Sequence, residues 1–123
     1  MTLSCSILIV DDSPVVRHAL RSSLEQCRDW IVCGEAGDGQ EAIEKSKELN
    51  PDLIILDFSL PGMDGLAVAR ELNRTQPTVL LLMFTTFTNP SLEKEAIAAG
   101  FAGVISKSDV HLLFRSIKHL LKN

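Results

Sequence analysis

The sequence predicts one α/β domain built around a five-stranded parallel β-sheet. Five apolar segments of strand length alternate with five segments of helical periodicity, and every connection between them is short. Successive parallel strands require crossover helices, so this alternation favours right-handed βαβ units. The segments at 53–56 and 78–84 are also almost continuously apolar, which is typical of strands that helices cover on both faces.

The first strand is predicted at 6–10 and leads directly into Asp11-Asp12. Ser13 is expected to cap the first helix, because Pro14 suits the first helical position. Periodicity places three charged residues on the outside of this helix, namely Arg17, Arg21 and Glu25. It assigns the inner face to Val16, Ala19, Leu20, Leu24 and Cys27.

A second strand is predicted at 30–36, and its mixed composition favours an edge of the sheet. Asp38 and Glu41 then resemble a capping box at the start of the second helix. That helix is expected to end before Asn50-Pro51, since a residue preceding proline disfavours helical backbone.

The third strand, at 53–56, ends abruptly in Asp57. Asp64 is expected to cap a third helix that runs to about residue 73. The fourth strand, at 78–84, is the most apolar one and ends at Thr85.

Asn89 is expected to begin the fourth helix, which stops at Gly100. A last short strand at 101–105 leads to Lys107. Asp109 is then expected to cap the fifth helix. The inner stripe of that helix is predicted to contain Val110, Leu113, Phe114, Ile117, Leu120 and Leu121.

The composition is that of an ordinary globular domain of 123 residues, with 46% hydrophobic residues and a net charge of -4. No stretch is strongly basic, so this chain is not expected to bind nucleic acid directly. The apolar run before Asp11 is too short for a signal peptide, and no run has the roughly 18 residues of a membrane span. The three cysteines lack metal-type spacing and are interpreted as free thiols in a reducing cytoplasm.

Polar side chains follow four of the five predicted strands. They are Asp11, Asp12, Asp57, Thr85 and Lys107. The carboxyl ends of parallel strands share one edge of the sheet, so these side chains are expected to converge. Three carboxylates separated by ~5 Å would repel one another by ~3 kcal/mol per pair at an effective dielectric constant of ~20. Lys107 offsets part of this repulsion, and Mg²⁺ (or Mn²⁺), which accepts oxygen ligands, would offset the rest.

A site of this composition favours phosphoryl transfer. Asp57 can attack phosphorus and form an acyl phosphate, which is covalent catalysis by a carboxylate. The metal ion, Lys107 and the Thr85 hydroxyl would each contact equatorial phosphoryl oxygens. Taken alone, Thr85 could cap a strand end and Lys107 could be a surface lysine, so the prediction depends on their convergence.

Over essentially its whole length, the chain resembles the receiver domain of bacterial two-component response regulators. The residues that carry the match are Asp11-Asp12, Asp57, Pro61-Gly62, Asp64-Gly65, Thr85 and Lys107. The resemblance implies a flavodoxin-like three-layer sandwich with strand order 2-1-3-4-5. It also implies that a sensor histidine kinase or a histidine phosphotransfer protein donates the phosphoryl group to Asp57.

The same resemblance implies a role for each residue of the site. The Mg²⁺ ligands would be Asp12, Asp57 and the main-chain carbonyl of Ser59, with Asp11 acting on the ion through water. Thr85 and Lys107 would bind the phosphoryl oxygens and transmit their presence to the fourth helix. Such a domain promotes its own phosphorylation and dephosphorylation and is not a multi-turnover enzyme. Dimerisation of the phosphorylated form is left open.

Three positions depart from the family pattern. Val104 stands where many relatives have Tyr or Phe, and it is interpreted as a core strand residue. Ser108 stands where a cis proline is common, and a trans bond is expected because a non-proline cis bond costs ~3 kcal/mol. Thr86 stands where Ala is usual, and the Thr-Thr-Phe run resembles receivers that precede a helix-turn-helix output domain in transcription regulators.

Three other functions fit the sequence less well. An aspartyl-phosphate hydrolase for small substrates typically has a second acid two residues after the nucleophile, where this chain has Ser59. A flavin or nucleotide carrier would need a phosphate-binding loop, and Asp11-Asp12 would repel the phosphate. A receiver-like module that binds partners without phosphorylation is opposed by the complete polar set, but Val104 and Ser108 leave it open.

Overall fold

The structure, a computed structural model, describes residues 4–122, in which five strands and five helices alternate. The strands are β1 (Cys5–Val10), β2 (Trp30–Ala36), β3 (Leu53–Leu56), β4 (Leu80–Thr85) and β5 (Gly103–Ser106). The helices are α1 (Pro14–Leu24), α2 (Gly39–Leu49), α3 (Gly65–Thr75), α4 (Pro90–Ala99) and α5 (Val110–Leu120). The predicted order of elements is therefore confirmed.

All four neighbouring strand pairs are parallel, and the strand order is β2-β1-β3-β4-β5. The predicted flavodoxin-like topology and the edge position of β2 are both confirmed. Val10 of β1 pairs with Leu56 of β3, so the two central strands end side by side. This register brings the residues that follow them to the same edge of the sheet.

Alternate residues of the central strands enter two separate hydrophobic clusters, one on each face of the sheet. Leu8 and Ile54 pack with residues of α2, α3 and α4, while Ile7 and Ile55 pack with residues of α1 and α5. All four of these side chains are essentially inaccessible to water. Burial of each is worth about 1.5–3 kcal/mol relative to exposure. The strand ends are therefore held on a rigid base.

Each helix begins at a side chain that accepts a hydrogen bond from a backbone N–H of the first turn. These residues are Ser13, Asp38, Asp64, Asn89 and Asp109. All five caps agree with the sequence prediction. At α2 the reciprocal half of the capping box is shifted, because the Glu41 carboxylate accepts from Gly37 N–H, one residue before the cap.

Several predicted boundaries were wrong by two residues. The last strand starts at Gly103 and not at residue 101, because Phe101 N–H donates to the Ala96 carbonyl and completes the end of α4. The fourth strand starts at Leu80 and not at residue 78, because Val79 N–H closes a turn onto Gln76. Helix α3 continues to Thr75.

The predicted inner faces of α1 and α5 are correct only in part. Cys27 and Leu121 lie just beyond the ends of the two helices, although both pack against the core. Ala19 and Val110 are exposed, and both line an open apolar cleft of about 270 Å³ at the start of α5. The buried contacts of these helices are made by Leu20 and Leu24 and by Leu113 and Ile117.

Within residues 4–122, no helix is long and apolar enough to cross a membrane.

Candidate functional site

Four strands deliver polar residues to one edge of the sheet, as predicted. Asp11 and Asp57 directly follow β1 and β3, Thr85 ends β4, and Lys107 directly follows β5. Backbone hydrogen bonds extend the sheet to these residues: Asp57 N–H donates to Val10 O at 3.0 Å, and Lys107 N–H donates to Thr85 O at 2.8 Å. The sheet itself therefore fixes the positions from which the side chains project.

Lys107 joins two of the acids. Its Nζ lies 2.7 Å from Asp11 Oδ2 and 3.0 Å from Asp57 Oδ2. The two carboxylates belong to residues that are only 3% and 5% exposed. Burial alone would lower the pKa of the Lys107 ammonium, but hydrogen bonds and charges from Asp11 and Asp57 outweigh burial and raise it. The ammonium therefore stays charged at neutral pH and balances one of the buried negative charges.

Asp12 completes an acidic cluster with the other two aspartates. One carboxylate oxygen from each of Asp11, Asp12 and Asp57 lies within 4.8 Å of the others, and Asp12 is exposed to solvent. Three carboxylates and one ammonium leave a net charge of -2, which a divalent cation would neutralise. An all-oxygen donor set suits a hard cation such as Mg²⁺ or Mn²⁺. The predicted cluster is therefore present and fits a metal ion.

The two oxygens of the Asp57 carboxylate differ in how firmly they are held. Oδ2 accepts from Lys107, whereas Oδ1 has only a long contact of 3.4 Å with Ser59 N–H. Oδ1 therefore keeps unused acceptor capacity. Asp11 is more fully engaged, since its Oδ1 also accepts from Ser13 N–H at 2.9 Å.

An open cleft of about 520 Å³ lies in front of Asp57. Thr85 lines this cleft and is 4% exposed, while Phe87 stands at its rim and is 80% exposed. Ser59 also lines it, from the exposed loop after β3. The proposed contributions of the Thr85 hydroxyl and the Ser59 carbonyl remain predictions. The cleft has room for a phosphoryl group and part of its donor.

Val104 and Ser108, which depart from the family pattern, both agree with the sequence predictions. Val104 is half-buried and packs against the cluster on the α2, α3 and α4 face, which fits the interpretation as a core strand residue. Ser108 is exposed, and residues 4–122 contain no cis peptide bond. Its hydroxyl lies 2.7 Å from the Ser106 hydroxyl.

Sequence reasoning missed Arg17, which contacts the main chain of Asp11, and Glu35, which binds Arg17. Arg17 was predicted to face outward, but its Nη1 donates to the main-chain carbonyl of Asp11 at 2.6 Å. Glu35 of β2 accepts from both Arg17 and Arg21, so the outward placement of Arg21 was wrong too. No local pattern gives this arrangement, because the carboxylate lies on another strand, 18 residues from Arg17 and 14 from Arg21. Strand alternation offers no signal either, because counting from Trp30 and Val32 would place Glu35 on the opposite face. The irregularity in the β1–β2 pairing after Val32 is what turns Glu35 toward α1.

Comparison with known proteins gives one consistent result. The family described as the response regulator receiver domain matches residues 7–118. The chain is 43% identical over 107 residues to protein-glutamate methylesterase/protein-glutamine glutaminase 1 of Methanosarcina acetivorans, covering 85% of this chain and 30% of that protein. The chain therefore spans less than a third of the length of this curated relative.

Two solved structures extend the comparison. A LuxR-family two-component response regulator from Aurantimonas has a TM-score of 0.92 and 31% identity, covering 96% of this chain and 85% of that one. The CheX-CheY-BeF3-Mg²⁺ complex of Borrelia burgdorferi has a TM-score of 0.85 and 25% identity, covering 98% of this chain and 92% of that one. Both agree with the family match over nearly the whole chain.

Proposed function

Because the chain belongs to the response regulator receiver domain family, we propose that Asp57 accepts a phosphoryl group and that its modification switches the contacts of the domain. One observation carries the proposal: Asp57 is buried at the end of β3 and lines an open cleft, with Oδ2 bound to Lys107 and Oδ1 in only a long contact with Ser59 N–H. A carboxylate held in this way is oriented for attack and needs little reorganisation before it reacts.

The cation that we propose is Mg²⁺, or Mn²⁺ in its place. Asp12 and Asp57 would ligate it directly, together with the carbonyl of Ser59, and Asp11 would act through a bound water. The compact oxygen donor set supports this choice. When bound, the ion would supply positive charge that lowers the repulsion between the acids and an incoming phosphoryl group. The Borrelia burgdorferi CheY complex, to which this chain is similar, contains both BeF3 and Mg²⁺.

The transfer step can be written from the residues of this chain. Asp57 Oδ1 attacks phosphorus, and the bond between phosphorus and the donor nitrogen of a phosphohistidine breaks as the oxygen–phosphorus bond forms. The electron pair of the broken bond stays on that nitrogen, and a phosphohistidine ring protonated on its other nitrogen leaves as neutral imidazole. Lys107 balances the charge that remains on Asp57 and its new phosphoryl oxygens, and the Thr85 hydroxyl donates to one of these oxygens. Hydrolysis of the acyl phosphate returns the free carboxylate.

Switching would follow from a change of partners at Lys107 and Thr85. In the unmodified domain Lys107 binds Asp11 and Asp57. A phosphoryl group offers new acceptors to Lys107 and to Thr85, the last residue of β4 before the loop that leads to α4. Contacts that exist only in the phosphorylated state shift the conformational equilibrium toward the state that makes them. We propose a sensor histidine kinase or a histidine phosphotransfer protein as the phosphodonor and a conformational switch, not a multi-turnover enzyme, as the role of the domain.

A second candidate is a receiver that binds its partner without phosphorylation. Val104 favours it, because a half-buried aliphatic residue at that position lacks the aromatic ring that moves in many relatives. Under this alternative the acids and Lys107 would remain as a structural network. The two functions differ in whether Asp57 is ever modified.

Incubation with acetyl phosphate and Mg²⁺, followed by intact-mass measurement, separates the two candidates. The proposal expects one phosphoryl adduct on the wild type and none on Asp57→Asn. Asp64→Asn is the matched control, since it changes an exposed aspartate in the same loop and asparagine still caps α3. A wild type that takes no adduct at saturating donor and Mg²⁺ would favour the phosphorylation-independent module.

A further inference from the structure

We propose that Arg17 is a positioning residue for the cation site. Its guanidinium fixes the main-chain carbonyl of Asp11 and thereby sets the peptide that carries both Asp11 and Asp12. This inference rests on the proposed function of the acidic cluster and concerns how the ligands are held before a cation arrives.

Arg17 connects the loop after β1 to the edge strand. Its Nε donates to Glu35 Oε1 at 3.1 Å, and its Nη1 donates to the Asp11 carbonyl at 2.6 Å. The Arg17 side chain is only 19% exposed, so it is held against the protein and does not extend into solvent. A guanidinium has a rigid planar fork of donors, and it therefore fixes the relative positions of two acceptors.

The Asp11 carbonyl lies at the point where the sheet stops. Asp11 N–H still donates to Ala36 O at 3.0 Å, but β2 ends there and the chain turns toward α2. Because β2 has ended, it offers no further backbone N–H to the Asp11 carbonyl. Arg17 supplies the donor for this carbonyl instead. A Cβ on Gly37 would lie 3.4 Å from Arg17 Nη1, so the turn packs closely over the guanidinium.

Fixing this carbonyl matters most for Asp12. The carbonyl belongs to the peptide that joins Asp11 to Asp12. The Asp11 carboxylate has its own anchors in Ser13 N–H and Lys107. Asp12 is exposed, and its carboxylate takes part in none of the side-chain hydrogen bonds or ion pairs found among residues 4–122. The position of Asp12 therefore depends on its backbone, which Arg17 holds.

Arg21 provides a matched control for Arg17. It donates to the other oxygen of the same carboxylate, with Arg21 Nη1 2.8 Å from Glu35 Oε2, and its Nη2 donates to Val32 O. It has no hydrogen bond to Asp11. Removing either arginine takes one positive charge and one ion pair from Glu35, but only Arg17 contacts the acidic loop. Loss of positive charge near the acids would by itself tighten cation binding, so weaker binding has to come from lost positioning.

The test measures Mg²⁺ binding to the wild type, Arg17→Ala and Arg21→Ala by isothermal titration calorimetry. Arg17→Ala is expected to weaken Mg²⁺ binding by about 10-fold, as is typical when a group that orients a metal ligand is lost. Arg21→Ala is expected to leave the dissociation constant unchanged or slightly lower. Arg17→Lys, which keeps the charge but lacks the planar fork, should recover only part of the affinity.

A second readout needs no cation and keeps this inference separate from the proposed function. Amide hydrogen exchange of Asp12 and Ser13 in the metal-free protein should be faster in Arg17→Ala than in Arg21→Ala. Equal exchange in the two variants, or equal Mg²⁺ affinities, would overturn the role of Arg17. A wild type that binds no Mg²⁺ would refute the proposed cation, while the exchange experiment would still decide the positioning role.

Discussion

Gly65 lies directly against the main chain of Asp57. A Cβ at residue 65 would be 2.6 Å from the Asp57 carbonyl oxygen and 2.9 Å from Phe58 Cα. Gly65 N–H also donates to Phe58 O at 2.8 Å. The start of α3 thus packs directly against the end of β3, where the proposed phosphoacceptor Asp57 lies. The neighbouring atoms belong to the backbone, so they cannot move aside without moving Asp57.

A methyl group at residue 65 should therefore disturb both stability and the site. Gly65→Ala is expected to lose about 1–3 kcal/mol of the free energy of unfolding, because the overpacked contact forces the backbone to shift. It should also slow phosphorylation of Asp57 by acetyl phosphate. Urea denaturation and the intact-mass assay measure the two effects.

Gly103→Ala is the control for this substitution. A Cβ there would meet only the side-chain tip of Leu82, at 3.4 Å. Its effect on the free energy of unfolding is expected to stay within about 0.5 kcal/mol. If the two alanine variants were equally stable and equally reactive, the close approach of α3 to Asp57 would have no functional consequence.

Removing the exposed acid should stabilise the metal-free protein. Asp12→Asn relieves repulsion from Asp11 and Asp57 and is expected to raise the free energy of unfolding by about 0.5–1 kcal/mol, a value reduced from the buried case by solvent screening. The same variant should lose the rise in Tm that Mg²⁺ gives the wild type by binding the folded state. Thermal denaturation with and without Mg²⁺ measures both effects.

Asp29→Asn is the companion variant, since it removes an exposed aspartate that is not part of the acidic cluster. It should leave both the Tm of the metal-free protein and the Mg²⁺-induced rise close to those of the wild type. An Asp12→Asn protein that still gains the full Tm increase with Mg²⁺ would contradict the ligand assignment.

Lys107 should contribute both to the phosphorylation of Asp57 and to its transmission to α4. Lys107→Met is expected to slow phosphorylation by about 10-fold or more, because a charge that balances the developing phosphoryl charge is lost. The phosphorylated variant should also lack the changes in α4 that the wild type shows. Amide chemical shifts of α4 before and after beryllofluoride addition provide the measurement. Normal shifts in α4 of the variant would exclude a relay through Lys107.

Glu35 should give a pH-dependent contribution to stability. Burial alone would raise the pKa of this carboxyl, but hydrogen bonds from Arg21 and Arg17 outweigh burial and hold the pKa below its ordinary value of 4.5. A group with a depressed pKa stabilises the folded state above its unfolded-state pKa, and the contribution is lost as the pH falls through the folded-state pKa.

The wild type should therefore exceed Glu35→Gln by about 1 kcal/mol in the free energy of unfolding at pH 7, given that the carboxylate is partly exposed. The difference should shrink as the pH falls below about 4.5. Urea denaturation of both proteins at pH 7, 5 and 3.5 measures it. A difference that is constant, or that grows toward acid pH, would show that the ion pairs do not cause it.

The fold and the convergence of the site were predictable from the sequence because both follow from strand ends. Asp57 directly follows an unbroken apolar strand, and parallel strands must end at a common edge, so the contacts of Lys107 with Asp11 and Asp57 follow from the topology. The caps were equally predictable, since residues such as Ser13 and Asn89 precede a proline that suits the first helical position.

Side-chain contacts between neighbouring elements, away from the strand ends, were not predictable in the same way. The placement of Arg17 beside Glu35 depends on which side of α1 faces the edge strand, and a long side chain can turn inward to meet a charge. The exposure of Val110 depends on what lies beneath the first turn of α5, which helical periodicity does not report. β5 starts only at Gly103, because the backbone N–H of Phe101 donates to the Ala96 carbonyl at the end of α4. Strand propensity does not indicate this hydrogen bond.

Locating the phosphoryl group is the most direct test of the central claim, that Asp57 is the phosphoacceptor. Borohydride reduction of the protein after acetyl phosphate and Mg²⁺ treatment converts an aspartyl phosphate to homoserine, and peptide mass spectrometry identifies its position. We predict homoserine at residue 57. Homoserine at another aspartate, or a phosphoryl group on a histidine with residue 57 unmodified, would contradict the account.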